Sequence, residues 1–243
     1  GPTGPQWVEA TGNFQPAPPS LPCGANGATC ATPTDYAIGA GTGSSSATTI
    51  TPLKGFWTQG RTQVMYTATE LAAAGMLTGT ISSLSLNVTG VSSSAPYQGF
   101  TIKMGCSTLN DMTGGWVTGL ATVYTPTNFT PVVGVNTFTL TSTYDWDGTS
   151  NLIVEFCFNN GIVNYTLSDA VTVSVTTLPM NYYGYADTDP DPCAAPTVLN
   201  VGSVTTRPNI TFSSCNQPLP PPLSLPYISY ADGVVIGNPT GGY

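Results

Sequence analysis

The sequence has no histidine and little positive charge: four Lys and Arg stand against twelve Asp and Glu. Without histidine, neither a Ser-His-Asp nor a Cys-His catalytic arrangement can be assembled. Four cations cannot make the basic patch that neutralises phosphates, which excludes nucleic-acid binding and disfavours an anionic membrane surface. No apolar run approaches the ~20 residues of a membrane-crossing helix, so membrane insertion is not expected. No leader-type segment opens the chain, so a secreted protein of this kind is expected here in its mature form. C-x-x-C spacing is missing too, and with it the usual zinc-ligand pattern.

What is present is Thr, Ser, Gly, Asn, Pro and Tyr interleaved with apolar positions, which suits short strands and turns. Alternation marks strands at Gln63–Tyr66, at Ile81, Leu84, Leu86 and Val88, and at Phe100, Ile102, Met104 and Cys106. Further strands are expected at Phe138–Leu140, Leu152–Phe158, Val171–Val175 and Asn209–Phe212, with Asp147-Gly148 as a hairpin turn. One short helix is expected where Thr67 and Glu70 have capping-box spacing and Gly75 provides a stop. The fold class is all-β: an antiparallel two-sheet sandwich of jelly-roll type with one short helix and extended N- and C-terminal tails. Residues 1–34 read as a Pro/Gly-rich extension whose first six residues resemble two collagen-like triplets, residues 35–216 as the sandwich, and residues 217–243 as a tail.

Six widely spaced cysteines in a chain without metal-binding partners indicate disulfides and an oxidising, extracellular compartment. Position alone suggests Cys23 with Cys30, Cys106 with Cys157, and Cys193 with Cys215. The tail begins with a polyproline spacer at Pro218–Pro222 and continues as an apolar, β-prone stretch containing Tyr227, Ile228, Tyr230, Val234, Val235 and Ile236. A strand without a partner in its own tail suggests donation to another copy, with Trp7 and Val8 as the rival donor segment.

Other motifs are weighed by their chemistry. Asp145, Asp147 and Glu155 are the candidates for a hydrolytic carboxylate pair, but Asp is a default turn residue, Asp147 sitting in a turn and Asp145 flanking a solvated loop, and Glu155 either faces a sheet surface or pairs with Arg61 or Arg207. Asp187, Asp189 and Asp191 place oxygen ligands at alternate positions and are the candidate Ca²⁺ site, although the Gly and bidentate Glu of an EF-hand are missing. Tyr182, Tyr183 and Tyr185 are candidates either for sugar stacking or for ordinary packing. N-x-S/T triplets make Asn87, Asn128, Asn164 and Asn209 candidate glycan acceptors, with O-glycans on the Thr/Ser/Pro-rich tails as the alternative.

Several blocks, among them Arg61–Gly75 with Gly79–Leu84, Phe100–Gly105, Trp146–Asn160 and Arg207–Phe212, resemble a module of secreted surface proteins of the Bacteroidota. The resemblance spans about residues 36 to 215 and implies a β-sandwich of adhesin-like cargo of the type IX secretion route, and it assigns no catalytic residue. The expected function is therefore a self-assembling subunit of an extracellular fibre or surface coat. The alternatives are a carbohydrate- or surface-binding module of a large bacterial adhesin, or a non-catalytic domain of a secreted hydrolase.

Overall fold

A computed structural model describes residues 21–45, 52–161, 166–187, 191–193 and 200–217. In chain order the strands are β1 (Gly24–Ala25), β2 (Thr34–Ile38), β3 (Gly43–Ser44), β4 (Gln59–Tyr66), β5 (Gly79–Gly90), β6 (Tyr97–Ser107) and β7 (Ala121–Phe129). There follow β8 (Gly134–Trp146), β9 (Asn151–Asn159), β10 (Ala170–Val175), β11 (Asn181–Ala186), β12 (Asn200–Val204), β13 (Thr206–Pro208) and β14 (Ile210–Asn216). The single described helix, α1 (Ala68–Ala73), lies between β4 and β5.

These strands make two antiparallel sheets packed face to face. The six-stranded sheet runs β12-β11-β4-β9-β6-β7. The eight-stranded one runs β1-β8-β5-β10-β13, with β14 between β5 and β2 and with β3 on β10. β5 shows why the alternation works. Leu84, Leu86 and Val88 are buried in the core, while Ser83, Ser85 and Asn87 face outward on the pleat. Between the sheets Phe100 stacks on Phe138 at 5.3 Å, and Tyr97 meets Phe158 edge-on at 4.9 Å.

The helix forms as expected. Thr67 Oγ1 accepts from the Glu70 amide at 3.2 Å, the Glu70 carboxylate accepts from the Thr67 amide at 3.0 Å, and Gly75 leaves the helix at a φ of 90°. The Asp147-Gly148 turn joins β8 to β9. Gly148 has a φ of 80°, and a Cβ there would stand 2.3 Å from Thr78 Oγ1, so only glycine fits.

The disulfide pairing differs from expectation. The bonds are Cys23–Cys106, Cys30–Cys215 and Cys157–Cys193. Cys23 and Cys30 do not clip a local loop, because the chain between them lies along β8: Gly24 and Ala25 pair with Asp145 and Tyr144. That pairing carries the two cysteines to separate partners on β6 and β14. Residues 21–34 are thus joined to the sandwich rather than forming part of a separate extension.

Candidate functional site

β9 is buried on both faces, because a loop between β6 and β7 and the Cys157–Cys193 bridge cover its outer side. Met65 and Ile153 pack there with Met112 and Met180 in a second apolar cluster, bordered by Val117 and Tyr182. Glu155 projects into the same layer with no exposure. Its Oε2 accepts from Arg61 Nη2 at 2.7 Å and from Gln63 Nε2 at 2.6 Å, and its Oε1 lies 3.2 Å from Lys103 Nζ. Trp116 covers the Arg61 guanidinium at 4.3 Å, and Lys103 also donates to the Cys193 carbonyl at 2.5 Å. Glu155 is therefore the anchor of a charge network that closes this layer, with Oε2 taking the hydrogen bonds and Oε1 held only by the Lys103 ion pair.

The other two candidate carboxylates are also occupied. Asp145 is buried, contrary to the solvated loop position its sequence context suggests, and accepts from Thr80 Oγ1 at 2.6 Å and from the Asn26 amide group. Asp147 accepts from the amides of Thr149 and Ser150 at 2.8 Å each, the turn role expected for it. Partial desolvation works to raise its pKa, but the hydrogen bonds from Ser150 and Thr149 outweigh it and leave the group below the usual carboxylate range. Glu70 follows the same pattern: desolvation opposes ionisation, and the bonds and charge of Arg207 with the Thr67 cap prevail.

Of the acidic triplet, Asp187 accepts from the Thr58 amide at 2.9 Å and Asp191 from the Cys193 amide at 2.8 Å, while Asp189 lies outside the described residues. Among the acceptor asparagines, Asn87 and Asn128 are exposed on strands. Asn209 is engaged by Ser174 Oγ at 2.6 Å and donates to the Gly41 carbonyl at 2.7 Å, and Asn164 lies outside the described residues. Trp7, Val8 and Tyr227, Ile228, Tyr230, Val234, Val235 and Ile236 also lie outside them.

The tyrosines form a strand, β11, and divide between its faces. Tyr182 packs edge-on to Trp116 at 4.7 Å, whereas Tyr183 and Tyr185 lie parallel on the opposite face, 6.1 Å apart.

An exposed apolar corner was not apparent from sequence. At the turn between β7 and β8, Val132, Val133 and Val135 are 59%, 69% and 69% exposed. Buried Asn136 fixes this turn, accepting from the Val132 amide at 3.0 Å and donating to the Val132 carbonyl at 2.7 Å and the Gly134 carbonyl at 2.9 Å. Val135 also borders an outward-facing groove of about 230 Å³, where β10 enters the fork between β5 and β14. Ser85, Asn87, Thr172 and Thr211 line it on the outer face, while Leu86, Ile38 and Ile210, also at its edge, belong to the core between the sheets. On the side of β8 away from β5, β1 pairs only with Tyr144 and Asp145, and Thr141 Oγ1 bonds to the Val123 carbonyl of β7 at 3.0 Å. Val135 to Leu140 have no strand partner on that side among the described residues.

No protein-family model, curated protein or solved structure matches the chain.

Proposed function

We propose that the chain is a non-enzymatic structural subunit of an extracellular fibre or surface coat, joining copies head to tail by strand addition. The observation that carries this reading is a polarity of the sandwich. Gly24 pairs with Asp145, Gly79 with Trp146, and the Gln217 amide donates to the Thr78 carbonyl at 2.7 Å. Both described ends of the sandwich chain therefore leave at one end of the β5–β8 ladder. The valine corner lies at the other, beyond the Val88–Gly134 pair, roughly 30 Å away at about 3.4 Å per residue.

A surface on one end that receives a segment leaving the other end makes a heterologous contact, which propagates into a filament unless its rotation closes a ring. Residues 227–236 are the proposed donor. In polyproline geometry the stretch 218–226 would span about 28 Å at ~3.1 Å per residue, and it contains no Gly, Asn or Asp to reverse it. The proposed acceptor is the Val135–Leu140 edge of β8, which lacks proline and charge, with the valine corner taking apolar side chains. The opposing edge, on β7, carries Pro126 and is a poorer template. Three disulfides and a surface with few cations suit an extracellular setting, where the chain has to persist without a reducing pool.

Deleting residues 218–243 tests the donor. The expected product is a folded monomer by circular dichroism and light scattering; fibres of unchanged repeat from the truncated chain would show that the segment is not donated.

A further inference from the structure

On the outer face of the six-stranded sheet, Gln63, Glu155 and Lys103 stand in one row. Glu155 on β9 lies directly opposite Gln63 on β4 and directly opposite Lys103 on β6. Residues paired across strands in this way send their side chains to the same face, so all three enter one layer. Glu155 and Gln63 have no exposure there, and the Lys103 side chain keeps 18%. Glu155 bridges the other two: Oε2 accepts from Gln63 Nε2 at 2.6 Å, and Oε1 lies 3.2 Å from Lys103 Nζ. Oε1 is buried and takes no hydrogen bond, which leaves it able to receive a proton.

The Gln63 carboxamide is clamped on both of its polar atoms. Its Oε1 accepts from the Val117 amide at 2.8 Å, and its Nε2 also donates to the Val117 carbonyl at 2.8 Å. The Val117 amide therefore points at the oxygen on which negative charge develops when a nucleophile adds to Gln63 Cδ. Arg61 fixes the carboxylate between amine and carboxamide, with Nε and Nη2 at 2.9 and 2.7 Å from Glu155 Oε2. Its charge remains beside Glu155 once Lys103 has given up its own. Two strand spacings, about 10 Å, separate the Gln63 and Lys103 backbones, a gap that the two side chains close from opposite sides of Glu155.

We propose that Lys103 and Gln63 join in an intramolecular isopeptide bond, formed once per chain, with Glu155 as the proton carrier. The Lys103 ammonium gives a proton to Glu155 Oε1, and the lone pair so exposed attacks Gln63 Cδ. The Nζ–Cδ bond forms and the Cδ–Nε2 bond breaks. The departing nitrogen takes two protons from the attacking one by way of Glu155 and leaves as ammonium. A lysine ammonium and a carboxamide thus become a secondary amide and ammonium, Glu155 ends ionised, and no outside reactant is consumed. The bond staples β4 to β6 across β9. It is separate from the β8 edge and does not depend on the assembly reading.

The test is the mass of the full chain, folded with its disulfides formed and then denatured and reduced. The expected mass is one ammonia below that of the sequence, and peptic digestion is expected to yield a branched peptide joining the Lys103 and Gln63 segments. Lys103→Arg, Gln63→Leu and Glu155→Gln are each expected at their full sequence mass. Lys103→Arg keeps a cation beside Glu155, so a native near-ultraviolet spectrum separates a lost bond from a lost fold. A natively folded chain that stays at full sequence mass through prolonged incubation would mean an ion-pair network only and would overturn the proposal. Loss of ammonia without the branched peptide, or a branched peptide that persists in natively folded Glu155→Gln, would overturn it as well.

Discussion

Glu155 illustrates how far a single residue can be read. Its position in β9, between Ile153 and Cys157, left two readings open: an outward-facing carboxylate, or a partner for a scarce arginine. The paired reading holds, with Arg61, while Lys103, Gln63 and the Trp116 cover come from segments tens of residues away, whose approach no local pattern encodes. Removing one member of a buried ion pair leaves the others desolvated without a counter-charge, typically at about 3–5 kcal/mol. Glu155→Ala should therefore lower the urea midpoint by an amount corresponding to roughly 3 kcal/mol without changing the slope. A loss below about 0.5 kcal/mol, the range of an ordinary surface change, would show that the cluster is solvated in solution. Asp145 was legible only as a turn-flanking residue, because its burial follows from β1 lying over it, a contact 121 residues distant in sequence from Gly24.

At the level of elements, the strands with strict alternation and the capped helix were readable because their signals are local: a period of two, and a Thr67–Glu70 spacing that closes one turn. β1, β2, β3, β7, β11, β12 and β13 were not. β1 and β3 are two-residue strands that exist only through their partners, and β7, with Pro126 and mostly exposed positions, has little apolar pattern to read. The cysteine count was readable and the connectivity was not, since pairing depends on which strands lie side by side. Peptide mapping of the non-reduced protein is expected to recover Cys23–Cys106, Cys30–Cys215 and Cys157–Cys193. Recovery of Cys23 joined to Cys30 would mean that β1 does not lie on β8. Cys30–Cys215 has the widest span, 185 residues, and by loop entropy alone would stabilise by about 5 kcal/mol. It ties the segment after β1 to the final described strand, close to where the chain leaves the sandwich.

For the whole molecule, the arrangement of ends matters more than any one site. Nearly all cationic charge is spent inside, so contacts between copies would have to come from backbone pairing and apolar burial rather than from surface ion pairs. Three exposed valines at the turn held by Asn136, beside a strand edge unpaired among the described residues, form a surface that soluble proteins normally blunt with charge or proline. Full burial of each valine would contribute about 1.5–3 kcal/mol before ordering costs.

Complementation tests the head-to-tail account most directly. One variant carries Val133→Asp and Val135→Asp with its tail intact; the other has intact valines and lacks residues 218–243. The account predicts that each is monomeric alone and that an equimolar mixture forms a one-to-one dimer and nothing larger, because one supplies only the donor and the other only the acceptor. A mixture that stays monomeric in sedimentation, or either variant assembling alone, would contradict it.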